Sequence, residues 1–168
     1  MYNAMNWYWA VGGSTTQVWS SQRVAYVPVT DATYLAWLAT GNVPTQIASA
    51  AALGQVIMAQ WLPAFLTAGV AVASTGTPAL DGTYPLDQVS QNQITGISAG
   101  VAAGKGLPGG GSTFFWQDVT GAPHAFTAAA FTDFASALES YVYNYTQALG
   151  AIIAGGSASF PTLPLTIA

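Results

Sequence analysis

Residues 127–149 of this 168-residue chain read TAAAFTDFASALESYVYNYTQAL and carry its clearest periodicity. Large apolar side chains recur there at steps of three and four residues, which is the spacing of one face of an α-helix. The members of this face are Phe131, Phe134, Leu138, Tyr141, Val142, Tyr145 and Leu149. Asp133, Ser136 and Glu139 fall elsewhere on the helix. Thr127 is suited to cap its first turn, so the segment predicts a long amphipathic helix whose apolar face other elements must cover.

The sequence before this helix indicates two hairpins. Thr113–Gln117 and His124–Phe126 are rich in β-forming residues, and the turn-forming stretch 118–123 separates them. Val70–Ala73 predicts an earlier strand. It leads into the stretch 74–84, where glycine, proline and an Asp-Gly pair interrupt β-type residues. We therefore expect a strand, a tight turn and a short return strand here.

Two further helices are predicted between and before these strands. Asp87 is suited to cap a helix that runs to about Ala103, with a buried stripe of Ile94, Ile97 and Val101. Ser49 is suited to cap another helix, which we expect to stop near Pro63 because proline cannot continue the hydrogen-bond ladder. The apolar positions of that helix are Leu53, Val56, Ile57 and Trp61.

The first part of the chain predicts a small antiparallel sheet and one short helix. Strands are indicated by Met5–Val11, Gln17–Ser20 and Arg23–Val29, with a turn at the Gly-Gly pair that follows the first of them. Thr30 or Asp31 can cap a helix that extends through Ala39 and ends at a Gly-Asn pair. We expect this helix to place on one side Tyr34, Leu35 and Leu38.

Together these elements define an α+β fold: a small N-terminal antiparallel sheet with a short helix, then a hairpin-helix-hairpin-helix C-terminal domain. The predicted organisation is an N-terminal β-rich module at 1–43, a helical linker at 44–68 and a C-terminal α+β domain at 69–154. An extended tail follows at 155–168, and its possible anchors are Phe160, Leu163 and Leu165.

Charge is scarce along the whole chain. Hydrophobic residues make up 52% but charged residues only 5%, against about 25% in ordinary soluble domains. The charged residues are Arg23, Lys105, Asp31, Asp81, Asp87, Asp118, Asp133 and Glu139. Two cations cannot neutralise the six to ten or so phosphates that a nucleic-acid footprint engages, so nucleic acid is not an expected partner.

The chain has no cysteine, and neither a leader nor a membrane span is expected from its sequence. Without cysteine there is no disulfide framework, thiolate nucleophile or zinc-thiolate site. The opening MYNAMNWYWAVGG has no basic region, which is unlike a secretory signal. Ile47–Ala73 is apolar enough to raise a membrane span. Because Gln55, Gln60 and Pro63 interrupt it and no basic residues flank it, we expect no span there.

His124 is the only histidine, so any Ser-His-Asp arrangement must use it. Asp118 lies across the predicted turn from His124, and Ser112 would have to be brought near both. A polar pair that stabilises the hairpin is the favoured interpretation, since no nucleophile-elbow motif is present. Six scattered carboxylates also permit a glycosidase pair, although nothing selects which two. No catalytic residue, metal or cofactor is predicted, and an enzyme is not expected.

The loop at 104–113, GKGLPGGGST, resembles a phosphate loop in composition only. A phosphate loop places its lysine after the glycines, directly before Ser or Thr, and leads from a strand into a helix. Here Lys105 precedes most of the glycines, and the loop leads from a predicted helix into a predicted strand. A connector is therefore the better interpretation.

Aromatic residues on the predicted strands are the candidate contact residues. Flat rings can stack on the apolar faces of sugars or pack against a protein partner. The aromatics that could form such a platform are Trp7, Tyr8, Trp9, Trp19, Tyr26, Phe114, Phe115 and Trp116. The chosen candidates for interface or glycan contact among them are Trp7, Trp9, Trp19, Tyr26 and Trp116. Side chains alternate along a strand, so we expect about half of such rings to point inward.

The stretch of about residues 72–150 resembles a domain of unknown function found in bacteriophage and prophage tail proteins, commonly near the C-terminal end of tail-fibre-associated chains. The resemblance rests on STGTPALDGTYPLD at 74–87, TFFWQDVTGAPHAFT at 113–127 and FTDFASALESYVYNY at 131–145. The segment VTDATYLAWLATGN at 29–42 is similar in style to short tail-protein modules. The resemblance supplies no catalytic residues.

The resemblance implies a non-enzymatic structural component of a phage virion, made in the bacterial cytoplasm and placed in the tail. Its expected partners are other tail proteins and copies of itself, with a trimer plausible for a fibre. Charge scarcity favours the same interpretation, because a surface with few charges resists association poorly. The alternatives are a tail-fibre assembly chaperone, a capsid decoration or head-fibre protein, and a binder or depolymerase of host-surface glycan.

Overall fold

The fold is given by a computed structural model that describes residues 2–154 and 158–168. It confirms the α+β class, with helices and several small sheets in one chain. The chain divides into two compact units. Unit 1 comprises residues 1–65 and 146–160, and unit 2 comprises residues 66–145 and 161–168.

Unit 1 is built on a four-stranded sheet in the order β3-β2-β1-β4. The strands are β1 (Tyr8–Val11), β2 (Gln17–Ser20), β3 (Ala25–Pro28) and β4 (Thr45–Ile47). The first three pair antiparallel, as predicted, whereas β4 lies parallel to β1. No sequence pattern indicates β4, because three residues are too few for a periodic pattern and their pairing depends on the edge that β1 presents.

Helix α1 (Ala32–Ala39) covers one face of this sheet. Of the two predicted caps, Thr30 and Asp31, it is Asp31 that caps the helix, since its carboxylate accepts hydrogen bonds from the backbone N–H groups of the first turn. The core between helix and sheet consists of Tyr8, Ala10, Val18, Val27, Tyr34 and Trp37. The predicted inward face was partly wrong: Leu35 is 49% exposed, and Trp37 occupies the core instead. An eight-residue helix has too few turns to fix its rotation from periodicity.

A helical stretch follows β4 and is divided into α2 (Ala50–Val56), a π-helical turn (Ile57–Trp61) and α3 (Leu62–Ala68). Ser49 caps α2, as predicted. The predicted stop near Pro63 is wrong, because the helix continues through it. The widened turn just before the proline changes the hydrogen-bond pattern at the place where proline lacks a donor, so the chain stays helical.

The stretch Ala50–Ala68 is long and apolar enough to cross a membrane by length and composition. Leu53, Ile57 and Trp61 from it are buried, while 22% of its most apolar 18-residue window is buried in all. The prediction of a helical linker at 44–68 is wrong, because β4 extends the sheet of unit 1 and α2 lies against β1. An apolar stripe that finds a sheet to cover becomes part of a core.

Unit 2 contains a three-stranded sheet in the order β6-β5-β9. Strand β5 (Val70–Ser74) pairs antiparallel with β6 (Gly82–Tyr84), as the predicted strand, turn and return strand require. A 3₁₀ turn at Pro78–Leu80 lies between them. The third strand, β9 (Leu165–Ile167), pairs parallel with β5.

Strand β9 corrects the prediction of an extended tail at 155–168. Residues 155–157 of that tail lie outside the described residues, while 161–168 belongs to unit 2. Ile167 is its buried anchor, whereas Leu163, which was expected to anchor the tail, is 41% exposed. The predicted C-terminal domain at 69–154 also differs from unit 2, since its residues 146–154 group with unit 1.

The remaining elements of unit 2 match the predictions closely. Helix α4 (Gln88–Ala102) is capped by Asp87, although Ile94 alone of its predicted stripe is fully buried. Strands β7 (Thr113–Gln117) and β8 (Pro123–Thr127) form the predicted hairpin.

The long helix α5 (Ala128–Ile153) follows β8, and Thr127 accepts a hydrogen bond from the backbone N–H of Ala130. Phe131, Phe134 and Leu138 of its predicted face are buried. Phe131 and Phe134 pack with Phe126 of β8. The helix is therefore held on the hairpin by contacts between aromatic rings.

Candidate functional site

The turn between β7 and β8 is organised by Asp118. Its Oδ1 accepts hydrogen bonds from the Thr120 N–H (2.8 Å), the Thr120 hydroxyl (2.6 Å) and the Ala122 N–H (2.9 Å). These bonds favour the ionised carboxylate, and the Thr120 hydroxyl is the foremost cause that lowers the pKa of Asp118 to about 2. The Val119 N–H donates to the Thr83 carbonyl (2.9 Å), which ties this turn to β6.

His124 lies directly across the turn from Asp118, as predicted. Its Nδ1 is 2.8 Å from the Ala79 carbonyl oxygen, so this nitrogen carries a hydrogen that it donates. Its Nε2 is 3.4 Å from Asp118 Oδ2, and the ring makes an edge contact with Tyr84. The prediction that Asp118 and His124 form a polar pair at the hairpin is therefore confirmed.

Ser112 does not complete a triad with this pair. It precedes β7, whereas Asp118 follows that strand. At about 3.4 Å per residue, the two ends of the intervening strand are separated by roughly 20 Å. A nucleophile must lie within hydrogen-bond reach of its base, so Ser112 is not the partner of His124.

Two of the predicted contact aromatics belong to the core. Trp9 and Trp19 are each 1% exposed, are paired across β1 and β2, and hold their ring centroids 5.6 Å apart. The expectation that they contact a glycan or a partner is therefore wrong. The expectation that about half of the strand side chains point outward does not hold for β1 and β2, because both faces of these strands are covered.

Trp7 and Tyr26 lie nearer the surface of unit 1. Trp7 is partly buried, with its Nε1 donating to the Thr45 hydroxyl (2.9 Å) and its ring packed edge-on against Trp37. Tyr26 remains exposed on β3. Of these two rings, Tyr26 is the one available for contact with another molecule.

Trp116 contributes to a cleft in unit 2, beside the edge of β7. The cleft has a volume of about 390 Å³. Its lining residues are Pro85, Ser90, Gln93, Phe115, Trp116, Gln117, Asp118 and Pro123. Aromatic, amide, hydroxyl and carboxylate groups thus converge at one concave surface, which is the composition typical of small-molecule sites.

Phe115, one of the strand aromatics considered for sugar contact but not one of the five chosen candidates, also lines this cleft. Its side chain is 69% exposed, although phenylalanine is normally an inward-facing residue. The sequence signal was present in the run Phe114-Phe115-Trp116, because strand alternation must turn the middle ring away from its neighbours. Phe114 and Trp116 pack on Phe131 of α5, and Phe115 points outward.

The cleft has a single carboxylate among its lining residues in the described part of the chain, that of Asp118. A glycosidase pair needs two carboxyl groups about 5 to 10 Å apart, so that arrangement is not built here. No group of His, Asp and Glu suited to hold a metal ion occurs among the described residues. What this site offers is binding chemistry: ring faces and amide groups.

A second concavity of about 240 Å³ lies between α4 and α5 of unit 2. It is lined by Leu86, Gln91, Ile94, Thr95, Leu138, Glu139, Val142 and Tyr143. Apolar side chains dominate it, and Tyr143 extends from α5 into solvent at its rim. Its chemistry suits packing against another apolar surface.

The chain is thus a small α+β protein with a mixed aromatic and polar cleft beside a β-hairpin. Residues 57–155 match the family described as a domain of unknown function, DUF4376, and the match covers more than half of the chain. The chain therefore belongs to this family. All residues that line the cleft fall within the matched region. No curated protein and no solved structure matches the chain.

Proposed function

We propose that this chain is a structural component of a bacteriophage virion, a tail or tail-fibre-associated protein that acts through protein-protein contacts. The observation that carries the proposal is a surface rich in exposed apolar groups and poor in charge. The resemblance of residues 74–87, 113–127 and 131–145 to phage tail domains supports the tail as its place.

Exposed apolar side chains occur on both units. In unit 1, Val43 is 72% exposed, and Leu35 and Tyr26 are also exposed. In unit 2, Val89 on α4 and Tyr143 on α5 extend into solvent. Each unit therefore presents apolar groups that contact with another protein would bury, which is the ordinary driving force of association.

Few charges oppose such contacts. The chain carries two basic and six acidic side chains, and Arg23 is already paired with Asp31 at 2.7 Å. Asp31, Asp87 and Asp118 cap helices or hold the hairpin turn, so they serve local structure. A surface of this kind suits permanent contacts with other tail proteins and with copies of itself, for which we propose a closed homo-oligomer such as a trimer.

Mass spectrometry of purified phage particles tests the proposal. We expect peptides of this chain in mature virions, and electron microscopy of the same particles to place it in the tail in a fixed copy number. Absence from the particles, with presence in lysates alone, would instead identify an assembly chaperone and overturn the proposal. Density on the head would also contradict a tail location.

A further inference from the structure

We propose that the cleft beside β7 binds an uncharged saccharide unit, with Phe115 as the stacking ring and Gln93 and Gln117 as the hydrogen-bonding groups. This site goes beyond the proposed structural role. A tail protein can assemble without it, and the site can bind sugar in the isolated chain.

The stacking surface is supplied by Phe115. Contact of an exposed phenylalanine ring with water is unfavourable in free energy unless a ligand or another protein group covers the ring. Pyranose rings carry a face of C–H groups that packs on an aromatic ring, while their hydroxyls point sideways to hydrogen-bonding partners. Trp116, Pro85 and Pro123 form the remaining apolar wall of the cleft.

The side-chain amides of Gln93 and Gln117 are available for a ligand. Neither amide makes a hydrogen bond with another residue in the described part of the chain. Gln117 follows Phe115 by two residues, so both side chains lie on the same face of β7, about 7 Å apart. Gln93 approaches from α4 across the cleft. Each amide offers both a donor and an acceptor, which matches hydroxyl groups that do both.

Charge in the cleft selects against anionic sugars. No lysine or arginine is among the lining residues in the described part of the chain, and Asp118 contributes a carboxylate there. The hydrogen bonds from Thr120 and Ala122 keep that carboxylate ionised. Among the described residues, the titratable groups that face Asp118 are His124, whose Nε2 lies 3.4 Å from Oδ2, and Tyr84, which interacts with its charge. A sugar carboxylate or phosphate would meet this negative charge without a fixed counter-ion.

The cleft is also the right size for a small ligand. Its volume of about 390 Å³ falls within the roughly 300 to 1,000 Å³ that is typical of small-molecule sites. The main rival occupant is a peptide strand added to the free edge of β7, since β7 pairs with β8 alone among the described strands. Strand addition would need neither the exposed ring nor the amides, so these groups favour a sugar.

Titration of the full chain with methyl hexosides and N-acetylhexosamines, followed by NMR, tests the site. We expect at least one of these neutral probes to shift the side-chain amide signals of Gln93 and Gln117 in a saturable manner. Glucuronic acid and N-acetylneuraminic acid should leave the same signals unshifted. If no neutral probe produces saturable shifts at millimolar concentration, or if the acidic sugars bind as well, the proposal is overturned.

Matched variants locate the binding. Phe115→Ala should weaken binding of the responding probe about tenfold, and Gln117→Ala about three- to tenfold. Tyr143→Ala, which removes another exposed ring of unit 2 away from the cleft, should change affinity by less than about twofold. Equal affinity of Phe115→Ala and the wild type would overturn the proposal, provided that circular dichroism shows both chains folded. Virion composition does not enter this test, so its failure and the failure of the structural role are distinguishable.

Discussion

At the scale of single residues, Gly69 is the position where the backbone leaves least freedom. Its φ is +94°, and a Cβ there would lie 2.7 Å from Val119 Cγ1, 2.8 Å from Thr83 Cγ2 and 2.9 Å from the Tyr84 carbonyl oxygen. We expect Gly69→Ala to lower the free energy of unfolding by roughly 2–4 kcal/mol, because both backbone strain and a clash oppose it. Urea denaturation measures the change.

Gly104→Ala is the matched control that separates the effect of the clash at Gly69 from the effect of backbone strain. Gly104 also has a positive φ, of +72°, but nothing lies within 4 Å of the position of its missing Cβ. Gly104→Ala should therefore cost about 1 kcal/mol, from strain alone. Equal losses in the Gly69 and Gly104 variants would show that the close approach of Val119 and Thr83 is not what makes Gly69 necessary.

The contribution of Asp118 to the stability of the fold depends on pH. The pKa of Asp118 is lowered from about 3.8 to about 2, with the Thr120 hydroxyl as the foremost cause. A folded-state pKa below the unfolded value means that this stabilisation is fully present above about pH 4 and is lost as the pH falls toward 2.

NMR titration of the Asp118 carboxyl tests this assignment. Thr120→Val should raise its midpoint, because the variant lacks the hydroxyl donor. Thr132→Val is the control, since that hydroxyl donates to the Ala128 carbonyl on α5 and not to a carboxylate. An unchanged midpoint in Thr120→Val would contradict the assignment.

At the scale of elements, helix starts were the best predicted feature. Asp87 Oδ1 accepts a hydrogen bond from the Ser90 N–H (2.9 Å) at the start of α4. We expect Asp87→Ala to destabilise unit 2 by about 1 kcal/mol, because a first-turn donor loses its partner. Asp87→Asn should retain most of the stability, which thermal denaturation can measure.

Asp133→Ala is the charge-matched control for the α4 cap. Asp133 is an exposed acid of α5 that does not cap the helix, and its removal changes the net charge of the chain by the same amount. If the two alanine variants lose equal stability, net charge and not the cap explains the effect of Asp87→Ala.

Element boundaries and faces depended on neighbours that the local sequence does not reveal. Pro63 was expected to end a helix, but the π-helical turn before it lets the helix continue to Ala68. Trp9 and Trp19 were candidate contact residues, but the coverage of both faces of β1 and β2 buries them. For the two tryptophans, contacts distant in sequence decided the outcome, whereas at Pro63 the helix geometry of the preceding turn did.

At the scale of the whole molecule, the last described strand completes unit 2. Ile167 of β9 is 3% exposed and is paired with Ser74, and its carbonyl accepts a hydrogen bond from the Thr75 N–H. Ile167→Ala should lower the free energy of unfolding by about 2–4 kcal/mol, because it leaves a cavity in the core. Leu163→Ala, at an exposed position, should cost less than about 1 kcal/mol. Equal losses in urea denaturation would mean that β9 contributes little to the core.

Self-association is the whole-molecule consequence of the proposed structural role. Lysine at the exposed apolar positions, in Val89→Lys and Tyr143→Lys, should weaken assembly about tenfold by placing a charge in a buried contact. Asn92→Lys adds the same charge to α4 at an exposed polar position and should have little effect. Sedimentation velocity distinguishes these outcomes, and a wild-type monomer at all concentrations would contradict self-association.

The sequence by itself determined the α+β class, the helix caps at Ser49 and Asp87, the β7–β8 hairpin and the apolar face of α5. These features depend on neighbours within a few residues, so local spacing and turn chemistry suffice to predict them. The tertiary structure decided which pieces belong together: the parallel strands β4 and β9, and the grouping of Thr146–Phe160 with unit 1.

The same division holds for the candidate site. The aromatic run at 114–116 and the Asp118–His124 pair are visible in the sequence, because the strand and its turn lie within one short segment. The cleft is not visible, because Gln93 and Ser90 on α4 reach β7 only through packing. Periodicity describes one element at a time, whereas a binding surface is made where separate elements meet.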